Sequence, residues 1–372
     1  MVRFGAARVV LADILPPDRN SFGVIRLAMA LAVLVSHSYF FVTGNPQDEP
    51  LVGITGHSLG EHAVQVFFFL SGILVTQSYL KSGSVIDFFA ARALRIFPGL
   101  IVCVLVTALL FGPVFSALSP AAYYADPMLL SYIVKTLALV TGSAPLPATF
   151  QELPAAGLVN MSLWTLKYEV LCYGVLGLAG VGGIFAPRYR HVTIAAVAAL
   201  VMLVFIKTPS AAQEYTSLEN IRYFALYFAT GVLACLLKDV LVVSGFAVAA
   251  SGAIFAVLVG TPFGELACAV FLGYATLYAA SFDYGVLKRV THETDVSFGV
   301  YIYAAPIQQG LVWAFPELGP LGLTALASLI VLPVALASWQ GVEKPALGVR
   351  RTVVEAIRAK ICRRPRAPIA TV

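Results

Sequence analysis

Two ionisable residues, Arg26 and His37, lie inside the first long apolar run of the chain. They are eleven residues apart, close to three turns of an α-helix, so both side chains lie on one face. Ionisable residues inside a membrane span are expensive and usually face a cavity or a partner. A snorkelling arginine and a hydrogen-bonded packing histidine are the alternatives. The shared face favours a functional pair, with an imidazole suited to proton transfer and a guanidinium suited to an anion.

A carboxylate lies in a later apolar run, which opens with LWTLKYEVLCY. Buried there, an ionised Glu169 needs a cation or a hydrogen-bond donor. Arg26 and His37 can serve if the helices pack together; a charge pair that merely joins helices is the alternative. Tyr173 lies one turn further along the face of Glu169.

Arg92 and Arg95 are three residues apart in DFFAARALRIFPGL, so they are neighbours on a helix. The bulky apolar residues around them predict a helix lying on the inner membrane face, ahead of the span that starts at residue 99. Arginine pairs suit phosphate. The alternative is ordinary positive charge on the inner side of a membrane protein.

Three further segments carry polar residues near apolar runs. SFGVYIYAAPIQQ predicts a polar lining from Tyr301, Tyr303, Gln308 and Gln309, and WQGVEKP predicts a helix that stops at Glu343-Lys344-Pro345. His57 and His62 are five residues apart with no third ligand in view, and the five cysteines lack the close spacing of a zinc or redox site. We therefore expect no metal.

The elements that hold these residues are apolar helices. Hydrophobic residues make up 59% of the 372-residue chain and charged residues 12%, and the mean hydropathy is +0.88. Soluble domains are about 45–50% apolar and about 25% charged, so the composition excludes a soluble enzyme, a disordered chain and a collagen-like fibre. It predicts an all-α, polytopic membrane protein.

We predict about ten membrane-spanning helices, because about 20 apolar residues cross a bilayer. The predicted spans are 22–42, 62–80, 99–118, 163–185, 192–206, 220–237, 240–259, 264–281, 296–315 and 320–340. Segment 128–142 is short and carries Lys135 at its centre, so we predict an interfacial or re-entrant helix there.

The loop charges predict the orientation of these spans. With both termini cytoplasmic, 19 of the 24 Lys and Arg fall on the inner side, two on the outer side and three within or beside spans. This distribution fits the positive-inside rule. We predict one transmembrane domain over residues 1–346 and a basic cytoplasmic tail over 347–372.

The motifs, in this order, resemble the acyltransferase-3 family, integral-membrane enzymes that O-acylate bacterial polysaccharides. The resemblance extends from about residue 20 to 346. Arg26 and His37 match the Arg-x10-His of that family. Five other segments resemble its motifs, namely GEHAVQVFFFLSGIL, RALRIFP, LWTLKYE, SFGVYIYAAP and VEKP. In one departure, Ala304 and Ala305 stand where many members have a histidine before the proline.

The resemblance implies transfer of an acyl group, most often acetyl, from cytoplasmic acyl-CoA to a hydroxyl of an envelope or exported carbohydrate. It places the enzyme in a bacterial inner membrane as a multi-pass protein. The implied catalytic residues are His37, as general base or acyl carrier, Arg26 at the developing oxyanion or the thioester, and Glu169 beside the imidazole.

The resemblance also implies the binding residues. Arg92 and Arg95 would hold the CoA phosphates, and the substrate would be lined by Tyr173, Ser297, Tyr301 and Tyr303. The expected partners are a carbohydrate acceptor and the lipid bilayer, with no nucleic acid.

Two functions from other classes remain open at this point. A proton-coupled secondary transporter would explain the spans and the buried charges, although no matched pair of broken helices is evident and a permease has no need of the Arg92 and Arg95 pair. A structural subunit of a glycan machine would explain the spans alone.

Overall fold

The computed structural model describes residues 9–141, 144–207 and 216–362. Within these ranges the regular structure is helical apart from two short antiparallel strands, β1 (Val9–Val10) and β2 (Val242–Val243). The α-helices are α1 (Leu11–Ile14), α2 (Phe22–Thr43), α3 (Val52–Thr55), α4 (Leu59–Ser82), α5 (Val85–Val106), α6 (Pro120–Ala125), α7 (Pro127–Leu137), α8 (Leu166–Val181), α9 (Arg190–Lys207), α10 (Ser217–Leu236), α11 (Gly245–Leu258), α12 (Gly264–Ala280), α13 (Val286–Glu293), α14 (Ser297–Ala314), α15 (Pro320–Ser338), α16 (Lys344–Gly348) and α17 (Arg350–Cys362).

Several of these helices are joined or extended by irregular helical turns. The 3₁₀ turns are Pro46–Asp48, Gly112–Val114, Met161–Thr165 and Pro187–Tyr189, and the π-helical turns are Thr107–Phe111 and Trp339–Glu343.

Each of the ten predicted spans contains a helix, which confirms the all-α class. In the described ranges, five helical segments are long and apolar enough to cross a membrane. They are Phe22–Thr43, Leu59–Ser82, Val85–Val114, Pro187–Ile206 and Pro320–Lys360. The count of ten spans and the orientation of the termini stay predictions. Segment 128–142 contains the short helix α7, and its interfacial position also stays a prediction.

The separate surface helix predicted before residue 99 is wrong. One helix, α5, runs from Val85 to Val106 with Pro98 inside it. Phe88 is fully buried, with its ring 5.5 Å from that of Tyr79. This packing draws the start of α5 into the bundle, so Arg92 and Arg95 lie on an inward-facing helix.

The predicted helix stop at Glu343-Lys344-Pro345 is also wrong. The π-helical turn follows α15 directly and leads into α16, whose first turn contains Pro345. Proline is tolerated in a first turn, where its missing N–H would have no intrahelical partner. The continuous backbone keeps Glu343 inside the bundle, where it is only 1% exposed.

The centre of the bundle is α4, which packs against α2 on one side and α10 on the other. Gly72 and Gly231 allow the contact with α10, because a side chain on either would collide with a backbone carbonyl of the facing helix. Gly72, which lies in the GEHAVQVFFFLSGIL segment, thus allows close packing of the two helices. The other major partner of α2 is α14.

Candidate functional site

A cavity of about 110 Å³ lies among α2, α4, α5, α8 and α14. Apolar side chains of α4 form one wall, including Val64, Phe67 and Leu74. The polar residues that line it are Arg26, Ser71, Arg92, Arg95, Thr165, Glu169, Tyr173, Ser297 and Tyr301. Residues from five helices thus converge on one space.

Seven of the nine residues predicted for the site line this cavity: Arg26, Arg92, Arg95, Glu169, Tyr173, Ser297 and Tyr301. The other two, His37 and Tyr303, are buried outside it. The geometry brings the predicted residues of four helices together, while their chemical roles stay predictions.

Asp295 holds two of the cavity arginines, and sequence reasoning missed it. Its Oδ2 atom lies 3.1 Å from Arg26 Nη2 and 2.6 Å from Arg95 Nη2, and Ser297 Oγ donates to its Oδ1 at 2.6 Å. Burial favours the neutral acid, but the charges of Arg26 and Arg95 lower the pKa of Asp295 to about 2. The carboxylate is therefore ionised at neutral pH.

Arg95 has a second carboxylate partner, Glu343, whose Oε2 lies 3.5 Å from Arg95 Nη1. Ser338 Oγ donates to Glu343 Oε1 at 3.0 Å, and the hydroxyl of Tyr303 donates to Ser338 at 3.5 Å. The guanidinium also lies over the ring of Trp339, 5.8 Å from its centre. Tyr303 thus supports Arg95 from behind the cavity.

Glu169 does not meet His37, so the contact proposed between them is corrected. Its Oε1 accepts hydrogen bonds from the hydroxyls of Tyr173 and Ser71, the latter at 3.2 Å. Ser71 is eleven residues along α4 from Gly60, which packs against the turn of α2 that carries His37. At 1.5 Å per residue, Glu169 lies roughly 16 Å from the level of His37 along the helix axis.

Arg92 differs from its neighbour Arg95. Among the residues that the structure describes, Arg92 forms no ion pair, and its buried Nε has no hydrogen-bond partner. Its guanidinium lies 5.9 Å from the centre of the Tyr173 ring. Arg92 therefore brings a positive charge with unused donors to the cavity, which suits a phosphate or carboxylate.

His37 is buried near the other end of α2, where it is 9% exposed. Its Nδ1 atom has no hydrogen-bond partner in the described part of the chain, and its ring packs edge-on against Phe41 at 5.9 Å. Gln308 donates to the carbonyl of Leu34 at 2.8 Å and to Ser38 Oγ at 2.7 Å. The predicted lining residue Gln308 thus fixes the backbone around His37.

The alanines that replace the family histidine lie in an apolar environment. Ala304 and Ala305 are 1% and 0% exposed and belong to a cluster that includes Ala30 and Leu34 of α2. Gln309, which follows this segment, donates to two backbone carbonyls at 2.9 and 2.7 Å. This part of α14 packs against its neighbours and does not open onto the cavity.

A second charged cluster, the His57 cluster, lies at the N-terminal end of α4. His57 Nε2 lies 2.5 Å from Glu265 Oε1, and Tyr227 donates to Glu265 Oε2 at 3.1 Å. The other imidazole nitrogen lies 3.5 Å from Glu61. Burial would lower the pKa of His57, but hydrogen bonds to Glu265 and Glu61 and their charges raise it to about 10. His62 Nδ1 lies within hydrogen-bond distance of Gln65 Oε1, at 2.7 Å.

Comparison with known proteins gives a family and two relatives. The family model described as "Acyltransferase domain" matches residues 19–340. The O-acetyl transferase of Shigella phage Sf6 is 30% identical over 339 residues, covering 87% of this chain and 95% of the relative. Nodulation protein 10 of Rhizobium leguminosarum bv. viciae is 27% identical over 372 residues, covering 90% of this chain and 95% of the relative. No solved structure matches the chain.

Proposed function

Because the chain belongs to the acyltransferase-3 family, we propose that it transfers an acetyl group from acetyl-CoA to a hydroxyl of a cell-envelope or exported carbohydrate. Its family and its identity to an O-acetyl transferase make it an O-acyltransferase. Its apolar helices make it a multi-pass membrane protein. The proposal adds an acetyl-CoA donor, a carbohydrate acceptor and a bacterial inner-membrane location with both termini cytoplasmic.

The observation that carries the donor assignment is the cavity with Arg92 in its wall. CoA presents phosphates on a long arm that ends in the thioester. Arg92 has unused donors for phosphate, while Arg95 and Arg26 are held in place by Asp295. Glu169 would keep the hydroxyls of Tyr173 and Ser71 oriented along the path of the arm.

The reaction at the far end of the path would use His37. A ring nitrogen of His37 takes the proton of the acceptor hydroxyl while the hydroxyl oxygen attacks the thioester carbonyl carbon. The C–S bond then breaks, the ester forms and CoA leaves as the thiolate, which gains a proton. The unpartnered Nδ1 of His37 fits a group that meets its partner only when substrate is bound. Arg26 would hold the thioester as it moves from the cavity towards His37.

The test is acetyl-CoA consumption by the purified protein in lipid nanodiscs, followed as free thiol. We expect CoA release that depends on an added carbohydrate acceptor, with incorporation of label from [¹⁴C]acetyl-CoA into that acceptor. The competing transporter function predicts proton-coupled solute uptake into proteoliposomes and no CoA release. Absence of acetyl-CoA turnover with a panel of envelope glycans would contradict the proposal.

A further inference from the structure

The imidazole of His37 lacks the orienting partner that the family resemblance implies. That partner, Glu169, lies roughly 16 Å from the level of His37 along the helix axis. A histidine that acts as a base needs a defined tautomer, and the hydrogen bond made by one ring nitrogen sets which nitrogen is free to take a proton. If His37 is the base, another group has to hold its ring.

Gln308 of α14 packs against the turn of α2 that carries His37. Its side chain is 0% exposed, and its Nε2 atom donates to the carbonyl of Leu34 at 2.8 Å and to Ser38 Oγ at 2.7 Å. Leu34 and His37 are three residues apart, so they share a face of α2, and Ser38 follows His37 directly. The amide group of Gln308 therefore lies beside the turn that holds the imidazole.

The two contacts fix the orientation of the Gln308 amide. The carbonyl oxygen of Leu34 can only accept, so the amide nitrogen and not the amide oxygen has to face it. The hydroxyl of Ser38 already donates to the same carbonyl at 2.9 Å, which leaves its oxygen to accept from Gln308. The Oε1 atom of Gln308 thus faces away from both groups, and it has no hydrogen-bond partner among the residues that the structure describes.

Two buried polar atoms on adjoining helices are therefore unpartnered within the described residues. Gln308 Oε1 can only accept a hydrogen bond, and His37 Nδ1 can donate one. Apolar residues of α2 and α14 form a single cluster here, and an unpaired amide oxygen in such surroundings is unfavourable. The hydroxyl of Ser36, on the other side of His37, is engaged with Glu49.

We propose that Gln308 Oε1 accepts a hydrogen bond from Nδ1–H of His37 and so positions the imidazole for proton transfer. A rotation of the His37 ring about its side-chain bonds brings the two atoms together, since catalytic hydrogen bonds that are absent or long in a free enzyme tighten when substrate binds. An amide side chain partners the histidine in Cys-His-Asn triads. This inference rests on the proposed function, because it assumes that His37 is the base.

The bond gives each ring nitrogen of His37 a separate role. With a proton on Nδ1, the lone pair is on Nε2, which takes the proton of the acceptor hydroxyl as the hydroxyl oxygen attacks the thioester carbonyl carbon. The ring is then an imidazolium whose Nδ1–H still donates to Gln308. The proton on Nε2 passes to the CoA thiolate, and the ring returns to its first form. Gln308 is thus a positioning residue that acts through His37.

The test is a double-mutant cycle, read as initial-rate acyl transfer in lipid nanodiscs. Gln308→Met is similar in length but has no amide. It should lower kcat at least about 10-fold, as part of the 10²–10⁴-fold that positioned acid–base catalysis contributes, and leave the KM for acetyl-CoA unchanged. In a His37→Gln background the same substitution should change kcat by less than about twofold, because its effect depends on the imidazole. Losses that multiply independently would refute the proposal.

Two controls separate the amide oxygen from packing. Gln309→Met is the matched variant, since Gln309 is equally buried but its nitrogen donates to the carbonyls of Ala155 and Leu158. Ser38→Ala removes one contact of the Gln308 nitrogen and keeps the oxygen. Both variants should retain kcat per folded molecule within about threefold of the wild type. A loss in either as large as that of Gln308→Met would make the effect one of packing and refute the inference.

A second measurement needs no variant of Gln308. Histidine-selective ¹⁵N NMR shows which ring nitrogen carries the proton, and the His37 signal is assigned by its loss in His37→Gln. The wild type should hold His37 as the Nδ1–H tautomer. The Nε2–H tautomer would overturn the proposal even if Gln308→Met does not accumulate.

The outcomes separate this inference from the proposed function. If the wild type turns over no acyl-CoA, the proposed function fails and the positioning role of Gln308 fails with it. If the wild type is active but His37 is the Nε2–H tautomer, or the two substitutions act independently, the role of Gln308 is refuted while the acyltransferase stands.

Discussion

The charged groups around the cavity and those of the His57 cluster, at the N-terminal end of α4, differ in how fully their hydrogen bonds are satisfied. In the His57 cluster, the imidazole, Glu265 and Tyr227 bind one another at close range. In the cavity, Arg92 faces open space with its Nε unpartnered. Both regions carry buried ionisable residues, so burial of charge alone does not distinguish them.

The comparison favours the cavity over the His57 cluster as the site of the proposed chemistry. A buried ion pair with its bonds satisfied joins helices, and breaking it is costly because one charge is left unpaired. Burying a hydrogen-bond donor without a partner costs free energy. In a binding site, the ligand supplies the missing partner when it binds. His37 also has an unpartnered Nδ1, which is compatible with its proposed catalytic role, although it lies nearer to the level of the His57 cluster.

The largest expected effect follows from replacing His37 with glutamine. His37→Gln keeps a polar group of similar reach but cannot carry the proton. Positioned acid–base catalysis contributes about 10²–10⁴-fold, so we expect acyl transfer to fall by roughly that factor. The measurement is initial-rate acyl transfer, alongside the amount of protein in the membrane fraction.

The matched control for this change is His57→Gln, the same substitution in the satisfied cluster. It should leave residual activity per folded molecule within a few-fold of the wild type. Near-normal transfer by a well-expressed His37→Gln protein would remove His37 from the mechanism.

A smaller effect on activity is expected at Arg92 and Arg95 of α5, and the two arginines should respond differently to replacement. Charge-assisted hydrogen bonds contribute about 1.5–3 kcal/mol, so Arg92→Ala should raise the KM for acetyl-CoA roughly 10- to 100-fold at normal protein levels. Arg95→Ala leaves Glu343 without its cation and Asp295 with Arg26 alone, and it should mainly lower protein level and thermal stability. Steady-state kinetics and melting curves on both variants measure the difference. Equal KM increases with equal stability would contradict it.

The sequence predicts the charged residues that line the cavity better than the carboxylates that pair with them. Spacing within helices identifies Arg26, Arg92 and Glu169, because a charge in an apolar run stands out. Asp295 lies in a loop beside the start of α14, where a charge suggests exposure to solvent. Glu343 follows an apolar run and suggests a helix end.

These partners depend on tertiary structure, which spacing along one helix does not encode. The unbroken backbone after α15 turns Glu343 inward to Arg95. The level of His37 relative to Glu169 likewise depends on how α2, α4 and α8 pack against one another. Sequence reasoning placed both residues in one site, whereas packing separates them by roughly three helical turns.

The smallest effect on activity is expected at the His57 cluster, where stability should respond instead. The folded pKa of His57 is raised to about 10, above the roughly 6.5 of an unfolded histidine. The ion pairs therefore stabilise the fold fully below about pH 6.5, and this contribution is lost as the pH rises through about 10. We expect the wild-type melting temperature to fall between pH 7 and pH 10 more steeply than that of His57→Gln. If the melting temperatures of the two proteins change in parallel across this range, the His57 cluster does not stabilise the fold through its ion pairs.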